Sequence, residues 1–380
     1  MCRLSTSEPT YEQEMISQIR EKIDPVFLGG FTFPQWIKLL KENRFDVDRK
    51  FFLRALIATT GTLVTSSLKV LEPHPQLDAN GEHLLQSPVF ILGLPRSGTT
   101  HLFSLLAKDP QFAFPTRIDC YNAHTFLFLH RIGIHRILGL IPSKKRVMDN
   151  VQTGWLSPEE DNIALTILAG TGSRLMQVFL RNESYRNWLE ADGGLNETQR
   201  TLFIEALIQF SRKLVFLKRA RPLFKSPAHT ARIPEILHAF PNAKFVTIFR
   251  HPFHQFASQK AMQTSTSRTW SALQENRPIT DEERLGLITL TLKRYLETRE
   301  CIPPNQLCEI HYEDLVREED ETLTKIYSSL NLDSPPKQPS SGSDSVYQTN
   351  KHPDLPIELQ NMIRQAYAPF SSLNFFQPIS

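Results

Sequence analysis

One segment, VFILGLPRSGTT at residues 89–100, has the residue types and spacing of a phosphate-binding loop. A short apolar run ends at Gly93, and Gly98 stands immediately before a helical pattern. This order of strand, loop and helix predicts that consecutive backbone N–H groups surround a phosphate at the helix N-terminus. The residues expected to contact the anion are Arg96, Ser97, Gly98, Thr99 and Thr100.

The loop differs from that of a nucleoside triphosphatase at one position. An ATPase or kinase carries a lysine after the second glycine, where its ammonium group reaches the β- and γ-phosphates. Thr99 occupies that position here, and the cation is Arg96 inside the loop. We therefore expect the loop to bind a phosphate-like group while being poorly equipped for ATP hydrolysis. A strand-to-helix turn without a ligand is the alternative.

A second candidate anion site lies in AKFVTIFRHPFHQFAS, residues 243–258. An apolar strand pattern ends near Arg250, Pro252 stands in the first turn of a helical pattern, and Ser258 follows. A guanidinium group can bind two phosphate oxygens at once, and a proline starts a helix without losing a needed N–H. An ordinary strand–helix unit with a surface arginine would show the same local pattern.

Together, the two segments resemble the donor-binding motifs of sulfotransferases that use 3′-phosphoadenosine-5′-phosphosulfate (PAPS). In that family the PRSGTT loop holds the 5′-phosphosulfate, and the residues matching Arg250 and Ser258 hold the 3′-phosphate. Similarity to the bacterial type with a Pro-Glu-Glu motif spans residues 88–370 and includes residues 223–243, 310–316 and 347–353. The resemblance implies PAPS as donor, transfer of a sulfuryl group to a hydroxyl or amine, and no metal.

Sulfuryl transfer requires a cation at the leaving phosphate and a base at the acceptor. Lys225 ends a short strand pattern and precedes Ser226-Pro227, which is a helix-start signature. This arrangement predicts that Lys225 lies at the carboxyl edge of the sheet, where open α/β sheets bind ligands. The resemblance places its ammonium group at the bridging oxygen next to the sulfuryl group. A solvated surface lysine is the alternative.

Two candidate sites for the general base stay open. Glu159 and Glu160 match the Pro-Glu-Glu motif. Ser157 and Glu160 also have the spacing of a capping box, with Pro158 as the first helical residue. His229 stands in the first turn of the next helical pattern, where the helix dipole favours a neutral imidazole that can accept a proton. A capping or packing role is the alternative for His229 as well.

Short apolar runs alternate with helical patterns over most of the chain, which favours a doubly wound α/β sheet. We expect a P-loop-type three-layer fold with a central parallel sheet flanked by helices, preceded by an N-terminal helical region. The predicted strands are residues 89–92, 222–224, 244–249 and 307–310, and the predicted helices are residues 100–108, 159–168, 233–240 and 282–300.

The predicted domain organisation follows from the same patterns. Residues 1–84 are expected to form a helical region packed on the core, and residues 85–380 the P-loop sulfotransferase domain. A Pro- and Ser-rich stretch, residues 333–345, is expected to be a flexible loop within that domain.

Composition excludes several classes of protein. The 380 residues carry 43 Lys and Arg against 40 Asp and Glu, a net charge of +3, which does not suit a general nucleic-acid binder. The four cysteines form no CxxC pair, which disfavours a zinc site and a disulfide framework. The N-terminus lacks a signal-peptide pattern, and histidine and arginine interrupt the apolar residues 125–142. A cytoplasmic protein without a transmembrane segment is expected.

The acceptor is left open by the sequence. The apolar and basic residues 125–142 lie between the phosphate loop and the Pro-Glu-Glu motif and suit a small-molecule, lipid or glycan acceptor. The same pattern fits an amphipathic helix in peripheral contact with a membrane, or ordinary core packing. Two other classes of function also stay open, an ATP-dependent P-loop kinase and a non-catalytic nucleotide-binding protein.

Overall fold

The computed structural model describes residues 27–145, 152–188, 195–266, 273–275, 279–333 and 354–375. Its centre is a five-stranded parallel sheet with the strand order β2-β5-β1-β6-β7. These strands are β1 (Val89–Leu92), β2 (Phe112–Ala113), β5 (Arg221–Lys225), β6 (Lys244–Phe249) and β7 (Leu307–His311). A separate antiparallel pair consists of β3 (Lys144–Lys145) and β4 (Gln152–Thr153).

The four predicted strands are confirmed as β1, β5, β6 and β7. In register, Ile91 of β1 lies between Lys225 of β5 and Val246 of β6. Because the strands of this sheet run in one direction, the ends of β1, β5 and β6 meet at a single edge. The fold therefore brings the phosphate loop, Lys225 and Arg250 to one side of the molecule.

Helices cover both faces of the sheet. They are α1 (Phe33–Glu42), α2 (Phe52–Lys69), α3 (Ala79–Leu85), α4 (Thr99–Leu106), α5 (Arg117–Tyr121), α6 (Phe126–Arg131), α7 (Ile134–Gly139), α8 (Asn162–Ala169), α9 (Glu197–Lys218), α10 (Ile233–Ala239), α11 (Pro252–Thr266), α12 (Asp281–Arg299), α13 (Tyr312–Arg317), α14 (Glu319–Ser329) and α15 (Ile357–Tyr367). The four predicted helices are confirmed as α4, α8, α10 and α12, and α8 begins three residues later than expected.

Side-chain alternation along the strands divides the core into two parts. Phe90 and Phe245 point to one face of the sheet, where α9 and α12 contribute to the larger cluster. Val89 and Val246 point to the other face, towards α4 and α14. Because successive strand residues face opposite sides, both faces of β1 and β6 are covered. The expected arrangement of helix, sheet and helix layers is confirmed.

The N-terminal helical region belongs to the larger cluster, since Phe27, Phe31 and Trp36 are buried in it. The domain boundary between residues 84 and 85 stays a prediction. Residues 334–345 of the expected flexible loop, and the segment 347–353, lie outside the described residues. Within the described chain, the helical stretch Arg49–Lys69 is long and apolar enough to cross a membrane by length and composition alone.

Candidate active site

Two glycines give the phosphate loop its shape. Gly93 has φ +147° and Gly98 has φ +100°, conformations that side-chain-bearing residues rarely adopt. A Cβ atom at Gly93 would lie 2.7 Å from the Ile248 carbonyl oxygen, and one at Gly98 would lie 2.2 Å from the Tyr312 ring. The loop therefore lies directly against β6 and α13, and Gly98 caps the N-terminus of α4.

Side chains from other elements hold the loop in place. Thr230 Oγ1 accepts a hydrogen bond of 2.9 Å from the Gly93 N–H. Gln255 in α11 donates to the Pro95 carbonyl oxygen at 2.8 Å, and the Tyr367 hydroxyl donates to Gln255. Sequence reasoning missed these three supports. Gln255 could have been found, because it precedes Ser258 by about one helical turn on the same helix face.

The loop contains a buried hydroxyl suited to an anion. Ser97 is 2% exposed, and among the described residues its Oγ atom has no hydrogen-bond partner. An unpaired polar atom inside a protein is costly unless a ligand or water completes its hydrogen bonding. Together with the adjacent N-terminus of α4, this hydroxyl fits a bound phosphate or sulfate group.

The two predicted anion sites adjoin each other. Arg96 Nε donates to Ser258 Oγ at 3.0 Å, and Arg250 Nη1 donates to the Arg96 carbonyl oxygen at 3.2 Å. Arg250 also stacks over the Tyr312 ring, 4.7 Å from its centroid. Segments about 150 residues apart in sequence thus contribute cations to one small region. A single ligand with two anionic groups can contact both.

Two histidines near this region have lowered pKa values. Burial lowers the pKa of His101 in α4, and the charge of Lys108 lowers it further. Burial, followed by the charge of Arg250, lowers the pKa of His254 in α11. Both shifts disfavour the charged form of the imidazole ring.

The predicted cation and one predicted base are in direct contact. Lys225 Nζ lies 2.8 Å from Glu160 Oε1 and 3.3 Å from Thr100 Oγ1. The lysine side chain is 4% exposed, whereas that of Glu160 is 21% exposed. The end of β5, the first turn of α4 and the Pro-Glu-Glu segment therefore form one cluster beside the phosphate loop.

Glu160 has a second cationic partner, which sequence reasoning missed. Arg174, in the 3-10 turn Ser173–Gln177, contacts the other carboxylate oxygen, Oε2. Lys225 and Arg174 thus hold the carboxylate from both sides. We see no sequence signal that could have identified Arg174, because its contact joins a turn to a loop with no regular spacing.

The capping-box prediction at Glu160 is wrong. Pro158 pairs in extended conformation with Thr116, so this segment is not helical, and α8 begins only at Asn162. The Ser157 hydroxyl accepts instead from the Gly154 N–H at 2.8 Å. Backbone bonding to the start of α5 therefore keeps the segment extended, and the Glu160 side chain is left to face Lys225.

Glu159 and Glu160 have different surroundings. The Glu159 N–H donates to the Pro115 carbonyl oxygen at 3.0 Å, and its Oε1 accepts from the Glu160 N–H at 3.1 Å. Burial first, and the nearby charge of Glu159 second, raise the pKa of the Tyr121 hydroxyl. The Glu159 carboxylate therefore lies towards α5, whereas Glu160 lies towards the phosphate loop.

His229 forms a buried pair with Asp161. Its Nε2 lies 2.6 Å from Asp161 Oδ2, and neither side chain is more than 1% exposed. The imidazole ring packs edge-on against Phe90 with a centroid distance of 5.4 Å. The pair joins the turn after β5 to the start of α8. Glu160 immediately precedes Asp161, so the pair lies directly beside it.

No metal centre is found in the described part of the chain, where no three His, Cys, Asp or Glu side chains are grouped closely enough to hold an ion.

Comparison with known proteins gives the class of protein that this fold and site define. Residues 88–336 match the model of a family described as the Sulfotransferase family, and the chain belongs to that family. It is a sulfotransferase, an enzyme that transfers a sulfuryl group from a sulfate donor. Of the three classes of function that the sequence left open, namely a sulfotransferase, a kinase and a non-catalytic nucleotide-binding protein, the sulfotransferase is confirmed.

Individual relatives agree with this assignment. The chain is 28% identical over 324 residues to the omega-hydroxy-beta-dihydromenaquinone-9 sulfotransferase Stf3 of Mycobacterium tuberculosis and of Mycobacterium bovis, over 83% of this chain and 81% of the relative. Sulfotransferase STF1 from Mycobacterium tuberculosis has the same fold, with a TM-score of 0.55 at 15% identity, over 94% of this chain and 96% of that one. Sulfotransferase STF9 from Mycobacterium avium has a TM-score of 0.53 at 14% identity, over 97% of this chain and 98% of that one.

Proposed function

We propose that the sulfuryl donor is PAPS and that both anion sites bind it. The single observation that carries this proposal is the contact of Arg96 with Ser258 and of Arg250 with Arg96. PAPS carries a 5′-phosphosulfate and a 3′-phosphate, which suits two adjoining cationic segments. The loop residues Ser97, Gly98, Thr99 and Thr100 would hold the phosphosulfate, and Arg250 with Ser258 would hold the 3′-phosphate.

Lys225 and Glu160 divide the chemistry between them in this proposal. PAPS, when bound, supplies a sulfuryl group attached to a phosphate oxygen. Lys225, at the end of β5 and 3.3 Å from Thr100, neutralises the negative charge that develops on that phosphate. Glu160 accepts the proton of the acceptor hydroxyl as general base.

Glu160 suits the role of base better than His229 does. The Glu160 carboxylate is partly exposed and touches Lys225 directly, so an acceptor can approach both groups together. His229 is buried, and Asp161 occupies its Nε2. We assign to the His229–Asp161 pair the positioning of the Glu160 backbone, and to Arg174 the orientation of the carboxylate through Oε2.

The acceptor is proposed to be an alcohol of a lipid-like or other small molecule. The name of the Stf3 relatives specifies a hydroxylated menaquinone, which supports a lipid alcohol by analogy. We also propose a cytoplasmic location, since the described cysteines Cys120, Cys301 and Cys308 are free thiols, as in a reducing compartment.

Isothermal titration with adenosine 3′,5′-bisphosphate and, separately, with ATP and magnesium tests the donor assignment. We expect tight binding of the bisphosphate without a metal, and no binding of ATP. Radiolabelled sulfate transfer from PAPS to a panel of lipid alcohols then tests the reaction. Strong magnesium-dependent ATP binding would overturn the donor assignment, and bisphosphate binding without transfer to any alcohol would overturn the acceptor assignment.

A further inference from the structure

Helix α2 exposes most of its large apolar side chains, and three of its four buried residues are polar. The side chains that face the protein are Arg54, Ala58, Thr62 and Thr65. Those that face outward include Phe52, Leu56, Leu63 and Val64, with Phe52 68% exposed. A surface helix of a soluble domain has the opposite arrangement. The outward face of α2 is therefore expected to contact an apolar partner.

Close packing of the inner face fixes this orientation. A Cβ atom at Gly61 would lie 2.9 Å from the Gly29 Cα atom, so the two backbones are in direct contact. Thr65 Oγ1 donates to the Gly29 carbonyl oxygen at 2.8 Å, and Trp36 Nε1 donates to Thr59 Oγ1 at 2.8 Å. Because small and hydroxyl-bearing residues make these contacts, α2 lies along the protein surface with its large apolar side chains outward.

A second exposed apolar group lies on α7, and the preceding helix α6 is hydrogen-bonded to Glu72 just after α2. Ile137, Leu140 and Ile141 lie in or just after α7, and Leu140 is 82% exposed. Glu72, just after α2, accepts hydrogen bonds from the Leu127 and Phe128 N–H groups at the start of α6. We use the term apolar surface for two sets of exposed apolar side chains. One set belongs to α2 and residues 70–71, and the other to α7 and residues 140–141.

The two segments that carry the apolar surface contribute positive charges and no negative ones. Residues 49–71 and 125–145 contain no Asp or Glu. Lys69, Arg131 and Arg136 are exposed. Within the described ranges these three side chains form no ion pair, unlike many other cations of the protein. Apolar side chains bordered by unpaired cations match the boundary between lipid chains and anionic headgroups.

The apolar surface continues to the catalytic cluster. A Cβ atom at Gly139 of α7 would lie 2.7 Å from a methyl carbon of Leu156, so α7 packs against that residue. Leu156 is 43% exposed and stands four positions before Glu160. An acceptor that remained among lipid chains could therefore bring its polar end close to Glu160.

We infer that the apolar surface docks on an anionic lipid bilayer and that the acceptor is an alcohol of a lipid resident in that bilayer. The acceptor part rests on the proposed function. Docking would place Glu160 near the headgroup level, where the hydroxyl of such a lipid lies. Transfer would then proceed without extracting the lipid into water.

Flotation of the full chain with vesicles tests the docking. Vesicles of phosphatidylcholine with phosphatidylglycerol are compared with phosphatidylcholine alone. We expect binding to the mixed vesicles that weakens with added salt. Leu56→Gln, Val64→Gln and Leu140→Gln should each weaken partition about tenfold. The control is Ile357→Gln, which changes an equally exposed residue of α15, 71% exposed and outside the apolar surface, and should bind as the wild type does.

Other measurements separate the possible failures. Each variant should bind adenosine 3′,5′-bisphosphate and melt as the wild type does, since the changed side chains are exposed. A chain that binds bisphosphate but no vesicles overturns the docking. The docking is also overturned if the chain forms dimers without binding lipid, as measured by light scattering, and if the same substitutions dissociate those dimers. The partner of the apolar surface would then be a second copy of the chain. Vesicle binding without bisphosphate binding supports the docking and overturns the proposed donor.

Discussion

In the proposed reaction, Glu160 is the residue at which charge neutralisation and proton transfer meet. Lys225 contacts one oxygen of its carboxylate and Arg174 the other. A carboxylate held on both sides loses little freedom when an acceptor arrives, so its position relative to the phosphate loop is set before binding. Glu159, one residue earlier, lies towards α5, and among the described residues no lysine or arginine forms an ion pair with it.

Replacement of Glu160 by glutamine should abolish most turnover. The change removes the proton acceptor while keeping the size of the side chain, so kcat should fall by about 10²–10⁴-fold. Donor affinity should change little. Steady-state sulfuryl transfer and bisphosphate titration measure the two effects. Glu159→Gln is the matched control and should retain turnover. The reverse result, loss in Glu159→Gln alone, would contradict the assignment.

Replacement of Arg250 by alanine should weaken donor binding specifically. The loss of a charge-assisted bond to the 3′-phosphate is expected to cost about 1.5–3 kcal/mol, or roughly tenfold to a hundredfold in bisphosphate affinity. Calorimetric titration gives this value. Lys293→Ala, which removes one charge from an exposed lysine on α12 that is 62% exposed, controls for net charge. Equal affinities in the two variants would exclude the 3′-phosphate role.

At the scale of elements, the loop between β1 and α4 is held by its contacts with other elements. Gly93 contacts β6, Gly98 contacts α13, and Gln255 of α11 holds the Pro95 carbonyl group. Each contact fixes the direction of backbone N–H groups before a ligand arrives. The shape of the candidate anion site therefore depends on packing as well as on the loop sequence.

Replacement of Gly98 by alanine should disrupt the loop, whereas the same change at Gly133 should not. Both glycines have positive φ, +100° and +80°, and an alanine there costs about 1–2 kcal/mol from backbone strain alone. At Gly98 the added Cβ also meets the Tyr312 ring at 2.2 Å, while nothing lies within 4 Å at Gly133. We expect Gly98→Ala to lose bisphosphate binding and Gly133→Ala to keep it. Similar bisphosphate affinities in the two variants would show that the loop tolerates the added Cβ atom at Gly98.

At the scale of the whole molecule, partly buried polar contacts join the N-terminal helices to the sheet domain. His124 Nε2 lies 3.0 Å from Gln35 Oε1. The Gln35 side-chain amide also donates to the Ile167 and Leu168 carbonyl oxygens at the end of α8. Gln35 of α1 thus contacts both the segment before α6 and the C-terminal end of α8. Loss of either contact should lower the stability of the whole molecule.

Stability should fall as the pH drops from 7 to 5. Burial, with smaller contributions from Lys69 and Lys213, lowers the pKa of His124 to about 3. Below pH 6.5 the unfolded chain binds a proton at this residue that the folded chain does not, so unfolding is favoured by about 2 kcal/mol at pH 5. Urea unfolding at the two pH values measures the difference.

His124→Gln should reduce that pH dependence, because it removes the titrating group. His238→Gln, at an exposed histidine of α10, should leave it as in the wild type. If both variants keep the full dependence, His124 is not its source.

Local patterns were sufficient for four of the five strands of the sheet and for the positions of the two candidate anion motifs, whereas the two-residue strand β2 was not predicted. Strands β1 and β6 were predicted at their observed bounds, and the loop residues and Arg250 lie where their motifs placed them. These features arise from neighbouring residues, through side-chain alternation and through N–H groups that follow one another in the chain. The capping box failed because Pro158 pairs with Thr116, a contact that no spacing within the segment reveals.

The sequence by itself determined the class of fold and the positions of the two segments proposed to bind phosphate, since both depend on residues close together in the chain. Only the tertiary structure decided that Arg96 and Arg250 adjoin, that Glu160 meets Lys225 and Arg174, and that His229 is paired with Asp161. It also decided which face of α2 is outward. These outcomes depend on distances between residues far apart in sequence, which are set when the helices pack on the sheet.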